Sequence, residues 1–383
     1  MTIECRFCNE ETIQFMSYGD MPIANAFVDT SQFASEYLFE LAPVYCPVCS
    51  LFQLKYQPDP KALFHENYAF FANTSSYMQD HFKLLSNKII EKFSLKKDET
   101  VIEIGNNDGG MVRYLNDLGY KSIGVDPSKN VADFAKTLGV NVINDFFNYA
   151  LATDIYSKYG KIKFFLSANT LAHIPDINSV FKGIEYLLDD EGVFITEDPY
   201  LIDVLNKTSY DQIYDEHVFI FSLTAMQNIC KKYNLEVFDV ENLSTAGGSM
   251  RYYIAKKNKK NISSNVDKAI AIEQKIGMYD NKTFLNFKKS CEKSKYDLVE
   301  MLAELNSKNY KVACYGATSK TTTIFNYCNI DSNLIQYITD TSKTKQNKFS
   351  PGMHIPIFDY QYFKENMPNY SFLGAWNHSK EIF

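Results

Sequence analysis

The stretch VIEIGNNDGG, from Val101 to Gly110, constrains the fold of this 383-residue chain most strongly. Val101, Ile102 and Ile104 predict a short buried β-strand that ends in a glycine turn and opens a helix. A glycine turn at this junction lets the backbone approach a ligand closely, and the N–H groups at the start of the helix face the polar end of that ligand. The glycine spacing is not the dinucleotide fingerprint G-x-G-x-x-G.

The acidic residues around this turn indicate which ligand to expect. Glu103, Gly105 and Gly109 form the pattern E-x-G-x-x-x-G, which resembles the first motif of class I S-adenosylmethionine methyltransferases. The next predicted strand, KSIGVD, ends at Asp126, 21 residues beyond Gly105. A carboxylate at that position can accept hydrogen bonds from both ribose hydroxyls. The alternative is a Rossmann turn that binds another kind of nucleotide.

Four of the eight cysteines form two C-x-x-C pairs, Cys5 with Cys8 and Cys46 with Cys49. Each pair supplies two thiolates from one tight turn, and two pairs complete a tetrahedral zinc site. The protein then fills all four positions, so we expect a structural zinc ion with no position open to a substrate. A pair of structural thiols or a redox pair is the alternative, because the loop between the pairs is longer than in most zinc ribbons.

Strands and helices alternate from Thr100 to Lys256, as in a parallel sheet that is covered on both faces. The seven predicted strands are VIEIG, KSIGVD, VNVIN, KFFLSAN, VFITED, LEVFDVE and SMRYYIA. The last two are expected to form an antiparallel edge. The count of seven matches the class I methyltransferase fold, and we expect this domain to span residues 76–256.

Polar and aromatic residues follow the third and fourth strands of this sheet. Asp145 and Phe146 come after the third strand, where they could bind adenine by a hydrogen bond and by stacking; equally, Phe146 could belong to the core. Asn169 and His173 follow the fourth strand, at the edge where ligands of open α/β sheets bind. We therefore assign Asn169 to the cofactor site and His173 to the catalytic site.

The segment YDEH places Tyr214, Glu216 and His217 together in a stretch that otherwise predicts a loop followed by a helix. An isolated histidine is more often structural than catalytic. Here two histidines and an acid are expected to converge on the methyl group of the cofactor, which favours catalysis.

Two further domains are predicted on either side of this sheet. Residues 1–75 should form the zinc-binding domain and a linker, and residues 257–383 a second Rossmann-like domain. In the latter, KVACYGATSK repeats the strand–glycine–helix arrangement without a complete nucleotide fingerprint. Ser319 and Lys320 at its helix start could hold the phosphates of a nucleotide-linked substrate. The alternative is a domain that serves only for packing.

Composition excludes several classes of partner. The net charge of −7, with no strongly basic stretch, argues against nucleic acid. No apolar run is long enough to span a membrane, and the first residues do not resemble a signal peptide. We expect a cytoplasmic protein that is a monomer or a dimer and does not bind membranes.

Together these motifs resemble the S-adenosylmethionine-dependent sugar C-methyltransferases of deoxysugar biosynthesis. The resemblance covers nearly the whole chain, through the paired C-x-x-C motifs, EIGNNDGG, NTLAHIPD, EDPYLIDVLNKTSYDQIYDEH, YGATSK, PGMHIPI and AWNHSKEI. It implies the zinc ligands Cys5, Cys8, Cys46 and Cys49, and the cofactor residues Glu103, Gly105, Asn107, Gly109 and Asp126. It also implies an active site of Tyr214, Glu216 and His217, with His173 nearby and Tyr68 from the linker.

The resemblance further implies C-methylation of a nucleotide-linked 4-keto sugar next to the ketone, usually at C-3. We expect His217, poised by Glu216, to act as the base, and Tyr214 or His173 to stabilise an enolate. O- or N-methylation of a nucleotide-linked sugar is one alternative. A non-catalytic, methyltransferase-like scaffold is an alternative of another class.

Overall fold

The seven predicted strands form one sheet at the centre of the protein. The computed structural model describes residues 3–64, 68 and 71–382. The elements that build and cover this sheet are α2 Ser76–Phe93, β6 Thr100–Ile104, α3 Gly110–Asp117, β7 Lys121–Val125, α4 Lys129–Thr137, β8 Val142–Ile143, α5 Tyr149–Tyr159, β9 Ile162–Ala168, α6 Ile177–Leu187, β10 Leu188–Pro199, α7 Leu201–Lys207, α8 Leu223–Lys232, β12 Leu235–Leu243 and β13 Ser249–Lys256. The strands β1–β5 and β11 and the helix α1 belong to or flank a smaller sheet, described below.

The strand order in this sheet is β12-β13-β10-β9-β6-β7-β8. Only β13 runs antiparallel to its neighbours, which confirms the α/β class I methyltransferase fold. Ile102, Phe165 and Phe194 are fully buried because helices cover both faces, as their near-continuous apolar strands predict. The carboxyl ends of β6, β7 and β9 therefore meet at one edge, where the glycine turn lies.

A smaller sheet carries the paired cysteines. The N-terminal region, which includes most of this sheet, contains β1 Ile13–Gln14, β2 Asp20–Pro22, β3 Leu38–Glu40, β4 Pro43–Tyr45, β5 Phe52–Leu54 and α1 Pro60–Leu63. The order β1-β4-β5-β11 includes a strand from far along the chain, β11 Phe219–Ile220, which pairs antiparallel with β5. The sequence pattern did not predict this strand. Because β11 follows YDEH directly, the smaller sheet holds one end of that segment.

The C-terminal region contains a second parallel sheet. Its elements are α9 Ser264–Ile276, α10 Asn281–Ser307, β14 Val312–Tyr315, α11 Ser319–Cys328, β15 Ile338–Thr339, β16 Ile357–Phe358, α12 Tyr360–Glu365, β17 Tyr370–Leu373 and α13 Ser379–Ile382. The strand order is β16-β15-β14-β17, with every pair parallel. Gly316 lies between β14 and α11, and the Thr318 side chain caps α11 by accepting from the Thr321 N–H.

The predicted boundaries at 75/76 and 256/257 remain predictions. The second falls between β13 and α9, yet α9 packs against β12 and α8 of the central region. Its buried Glu273 accepts hydrogen bonds from the Tyr200 hydroxyl and the Leu223 N–H. The first helix after this boundary is therefore attached to the central sheet. Among the described residues, no helix is both long and apolar enough to cross a membrane.

Trp376 joins the C-terminal region to the central one. Its indole Nε1–H donates to the buried Asp211 carboxylate at 2.7 Å. Its ring also lies against Gly247, in the turn between β12 and β13, where a Cβ would come within 2.2 Å of a ring carbon. A glycine is needed there because any side chain would displace the indole.

We expect Gly247→Ala to shift the fluorescence of Trp376 to longer wavelength, because the added methyl moves the ring away from Asp211 into water. Trp376 is the only tryptophan in the sequence, so the signal is specific. Gly139→Ala is the matched control: its φ of +79° is close to the +84° of Gly247, but nothing lies within 4 Å of the added methyl. Both variants carry about 1–2 kcal/mol of backbone strain. Equal emission spectra would contradict the contact.

Candidate active site

One cavity of about 330 Å³ opens at the carboxyl edge of the central sheet. All three regions of the chain contribute to its wall. Most of the predicted site residues line it: Tyr68, Glu103, Gly105, Asn107, Asp126, Phe146, Asn169, His173, Tyr214, Glu216, His217, Ser319 and Lys320. The structure thus brings together residues from β6, β7, β9, the YDEH segment and α11.

The glycine turn after β6 forms the floor of the cavity. Gly105 has φ of +74°, and a Cβ there would lie 2.1 Å from Oγ1 of Thr170 in the loop after β9. Only glycine lets these two loops approach so closely. Gly109 immediately precedes α3, but it does not line the cavity.

Asp126 stands at the end of β7, beside the turn. Its two carboxylate oxygens accept hydrogen bonds from the N–H groups of Asn107 at 2.8 Å and Ser128 at 2.9 Å. Burial raises the pKa of Asp126 to about 6, although these bonds oppose the shift. Each oxygen keeps a further lone pair, so the carboxylate can still accept hydrogen bonds from a ligand.

Two other oxygens in the cavity wall lack donors. Glu103 Oε2 and Asn169 Oδ1 are buried and accept no hydrogen bond from the described residues. Burial raises the pKa of Glu103 to about 8. Buried polar atoms are rarely left unpaired, so these acceptors fit a ligand that presents an ammonium group and hydroxyl groups. S-adenosylmethionine carries both, and the residues present fit it.

The predicted adenine contacts are only partly supported by the structure. Phe146 lines the cavity and is half-buried, and Phe147 lines it too but is buried in the core. Asp145 is exposed and lies outside the cavity wall, and its carboxylate accepts from the N–H of Phe146 at 2.7 Å. The placement of Asp145 therefore differs from the prediction, because its loop turns the carboxylate back onto its own backbone.

His217 has a defined tautomer. Its Nδ1 lies 2.7 Å from the carbonyl oxygen of Gln212, which can only accept, so Nδ1 carries the proton. Nε2 is then unprotonated, and its lone pair accepts a hydrogen bond from the Tyr214 hydroxyl at 3.0 Å. Burial, and next the neighbouring His173 and Lys320, hold the pKa of His217 well below its usual value. The imidazole is therefore neutral at pH 7.

His173 faces His217 across the cavity, with the ring centroids 5.1 Å apart. Asp198 at the end of β10 positions its loop by accepting the Ala172 N–H at 3.0 Å. Burial, with a smaller effect of Lys320, lowers the pKa of His173 to about 4. Its Nε2 is buried and makes no hydrogen bond to the part of the chain that the structure describes.

Glu216 does not contact His217 in the way that the sequence predicted. Its Oε1 accepts from the Asn25 side-chain amide at 2.6 Å, and its Oε2 from the Tyr68 hydroxyl at 3.1 Å. The partner that orients His217 is instead the Gln212 carbonyl. The difference arises because the β-turn of this segment directs adjacent side chains to different walls.

The start of α11 forms the cationic wall. Lys320 points into the cavity and forms no hydrogen bond or ion pair within residues 3–64, 68 and 71–382. Burial lowers the pKa of Lys320, while Asp211 and Glu216 oppose this shift. Ser319 lies beside Tyr214 in the cavity wall, where it opposes the rise that burial causes in the pKa of the Tyr214 hydroxyl. A second lysine, Lys345, also lines the cavity and donates to the Ala317 carbonyl at 2.7 Å.

The four predicted zinc ligands converge at a separate site. The sulfur atoms of Cys5, Cys8, Cys46 and Cys49 all lie within 4.8 Å of one another. The Sγ–Sγ distances are 3.5 Å for Cys5–Cys49 and for Cys8–Cys46. Four sulfurs at such distances suit tetrahedral zinc. They would leave no position for a substrate, so this zinc is structural.

Sequence reasoning missed several cavity residues, among them Asn25, Gln212, Lys345 and Asn377. Gln212 acts through its backbone carbonyl, which leaves no trace in the residue type. Asn25 lies in the mostly apolar stretch MPIANAFV and Lys345 in the polar stretch SKTKQNK, and neither stretch contains a motif. Of these residues, only Gln212 lies close in sequence to a predicted catalytic residue, five positions before His217.

Three family models match this chain in succession. They describe a zinc binding domain (residues 5–64), a methyltransferase domain (residues 75–240) and a C-methyltransferase C-terminal domain (residues 244–383). A curated relative, the C-methyltransferase NovU of Streptomyces niveus, is 30% identical over 382 residues, which is 99% of this chain and 91% of that protein.

Solved structures resemble about half of the chain. The magnesium protoporphyrin IX methyltransferase ChlM of Synechocystis, with bound SAM, is 13% identical and covers 47% of this chain and 79% of its own, with a TM-score of 0.36. The PH0226 protein of Pyrococcus horikoshii is 16% identical and covers 49% of this chain and 95% of its own, with a TM-score of 0.37.

We expect S-adenosylhomocysteine to bind more weakly as the pH falls below about 6, by about tenfold per pH unit at the limit. Ribose hydroxyls donate to the ionised Asp126, whose pKa in the free protein is about 6, so below that pH binding must first remove a proton. Titration calorimetry from pH 7 to pH 5 measures this. Asp126→Asn should bind weakly and lose the change of slope near pH 6; if that change of slope persists in the variant, Asp126 is not its cause.

Proposed function

We propose that this chain, which belongs to the family of S-adenosylmethionine-dependent C-methyltransferases, methylates a nucleotide-linked 4-keto sugar at the carbon beside the ketone, C-3. The observation that carries this proposal is the neutral His217, which lines the same cavity as the predicted cofactor turn and whose unprotonated Nε2 accepts a hydrogen bond from the Tyr214 hydroxyl, also in the cavity wall. Because this imidazole is neutral at pH 7, it is in the protonation state that a general base requires.

The chemistry follows from the ketone. A carbonyl group makes the neighbouring C–H acidic, because the carbanion that forms is delocalised as an enolate. S-adenosylmethionine, when bound, supplies the electrophilic methyl group on its sulfonium sulfur. Glu103, Asp126 and Asn169 would hold it through the acceptors they present to the cavity. The protein must then supply a base for the proton and a donor for the enolate oxygen.

His217 is the base in this proposal. The hydrogen bond from Nδ1 to the Gln212 carbonyl fixes the orientation of the imidazole ring. Nε2 then takes the proton from the carbon beside the ketone, either directly or through the Tyr214 hydroxyl, which already donates a hydrogen bond to Nε2. The imidazolium that results is a new positive charge in a buried site. The carboxylate of Glu216 lines the same cavity but is hydrogen-bonded to Asn25 and Tyr68, so it makes no hydrogen bond to this imidazolium.

His173 is the better placed donor for the enolate oxygen. Tyr214 is already engaged with His217, whereas Nε2 of His173 has no partner among the described residues. The low pKa of His173, about 4, keeps the ring neutral, so one nitrogen donates. A preorganised donor of this type contributes on the order of 3 kcal/mol to transition-state stabilisation.

The cationic wall supports a nucleotide-linked substrate. Lys320 and Lys345 line the same cavity as the two histidines, and Ser319 and Lys320 begin helix α11. A diphosphate would satisfy the ammonium of Lys320, which lacks a partner in the described ranges. The positive end of the α11 dipole favours the same anion. Ser319 and Lys320 are thus the proposed phosphate-binding residues.

A panel of nucleotide-linked 4-keto and 4-hydroxy sugars, incubated with S-adenosylmethionine, tests the function. We expect methylation of 4-keto sugars only, detected by mass spectrometry, with the new methyl assigned to carbon by NMR. Turnover of 4-hydroxy sugars at a similar rate, or a methyl on oxygen or nitrogen, would contradict the proposal and favour O- or N-methylation.

We expect His217→Asn to lose about 100-fold or more in kcat, because the variant lacks the general base. Solvent-deuterium exchange at the carbon beside the ketone should fall in parallel, while calorimetry should show unchanged binding of S-adenosylhomocysteine. His354→Asn serves as the control, since His354 bonds to Glu36 and lies outside the cavity wall. If exchange and methylation both survive in His217→Asn, another group is the base.

A further inference from the structure

We infer that Asn25, from the zinc-binding region, is a positioning residue for the reaction: its side-chain amide holds the Glu216 carboxylate in the cavity wall. The inference rests on the proposed function for its consequence in catalysis, but not for the contact itself. It gives the zinc-binding region a direct part in the active site, because a residue of that region completes the surroundings of Glu216.

The contact between Asn25 and Glu216 is short and directional. Nδ2 of Asn25 lies 2.6 Å from Oε1 of Glu216, and both residues line the cavity. An amide NH₂ group can only donate, so it matches an ionised carboxylate. Tyr68 donates to the other oxygen at 3.1 Å. Each oxygen of Glu216 therefore has its own donor, and the two donors fix the carboxylate group.

The backbone beside Asn25 is held from both sides. Strand β2 ends at Pro22, three residues before Asn25, and pairs with β3. The N–H of Ala24 donates to Oδ1 of Asp215 at 3.0 Å, and the carbonyl of Ala24 accepts from the Thr322 hydroxyl of α11 at 2.9 Å. These bonds place Asn25 between the YDEH segment and the C-terminal region. The fold therefore fixes the backbone beside Asn25, and with it the point from which the Asn25 side chain reaches Glu216.

The charged and titratable groups that face Glu216 come from each element around it. They are Asp215 and Tyr214 on its own segment, Tyr68, and Lys320 and Lys345 from the C-terminal region. Burial raises the pKa of Glu216, and the hydrogen bonds from Asn25 and Tyr68 are the strongest effects that oppose this rise, ahead of the two lysines. Loss of the Asn25 amide should therefore leave Glu216 easier to protonate.

Two substitutions separate this role from a general loss of packing. Asn25→Ala removes the donor, whereas Asn25→Asp keeps the shape and replaces the amide with a carboxyl group 2.6 Å from Oε1. Two carboxyl groups at this distance share one proton. Asn178→Ala is the control: Asn178 donates to the Arg6 and Phe7 carbonyls of the zinc knuckle and does not line the cavity.

The titration of Glu216 can be followed without any substrate. In protein labelled with ¹³C at the glutamate carboxyl, Glu216→Gln identifies the resonance. We expect its midpoint to rise by about one pH unit or more in Asn25→Ala, since hydrogen bonds to charged groups change equilibria by roughly tenfold or more. It should rise further in Asn25→Asp and stay unchanged in Asn178→Ala. Equal midpoints in the wild type and Asn25→Ala would overturn the inference.

Kinetics then test the consequence for catalysis. With an accepted 4-keto sugar, kcat of Asn25→Ala should fall by roughly 10- to 100-fold at pH 7 and recover as the pH rises, with S-adenosylhomocysteine affinity and zinc content unchanged. Asn178→Ala should lower Tm without moving the pH profile. A pH-independent loss in Asn25→Ala would overturn the positioning role. If the Glu216 midpoint shifts but no 4-keto sugar is methylated, the proposed function fails and the contact stands.

Discussion

Burial of the YDEH segment is the constraint on which the rest of the structure depends. Tyr214, Asp215, Glu216 and His217 are all less than a tenth exposed, although three of them are charged or titratable near neutral pH. Polar groups in such a position need partners, since an unpaired buried donor or acceptor costs about 1–3 kcal/mol and more when charged. These partners come from several parts of the chain: the Asn25 amide, the Ala24 N–H, the Tyr68 hydroxyl and the Gln212 carbonyl. β11, which follows the segment, closes the smaller sheet and so ties the site to the zinc-binding region.

The cavity also separates charges of opposite sign. Asp126 at the end of β7, with a pKa of about 6, is mostly ionised at pH 7, whereas Glu103 in β6, with a pKa of about 8, is mostly neutral. Lys320 and Lys345 lie on the side of α11. A cationic sulfonium donor suits the first side, and the second side suits the anionic diphosphate of the proposed substrate. The two neutral histidines, His173 and His217, line the same cavity and are close enough to Lys320 for its charge to lower the pKa of each.

Much of the central fold could be predicted because its signals are local. The buried runs such as VIEIG and KFFLSAN encode strands through a few adjacent residues, and all seven predicted strands are confirmed. The paired cysteines are likewise a local pattern, and their sulfur atoms do converge. The prediction for Asp145 differed from the structure because the direction of an exposed loop depends on its own hydrogen bond to Phe146, which residue type alone does not encode. Glu216 was assigned to His217 because they are adjacent, yet adjacent side chains in a turn face different neighbours.

The sequence by itself determined the central sheet, the glycine turn, the acid at the end of the next strand and the four thiolates, since each depends on residues close together in the chain. Only the tertiary structure decided which nitrogen of His217 carries the proton, that β11 joins the smaller sheet, and that Asn25 meets Glu216 across 191 residues. The physical reason is that a hydrogen bond needs atoms within about 3 Å and in line. Spacing in a sequence predicts such geometry within one turn of helix or one strand, but not between segments that meet only when the whole chain has packed.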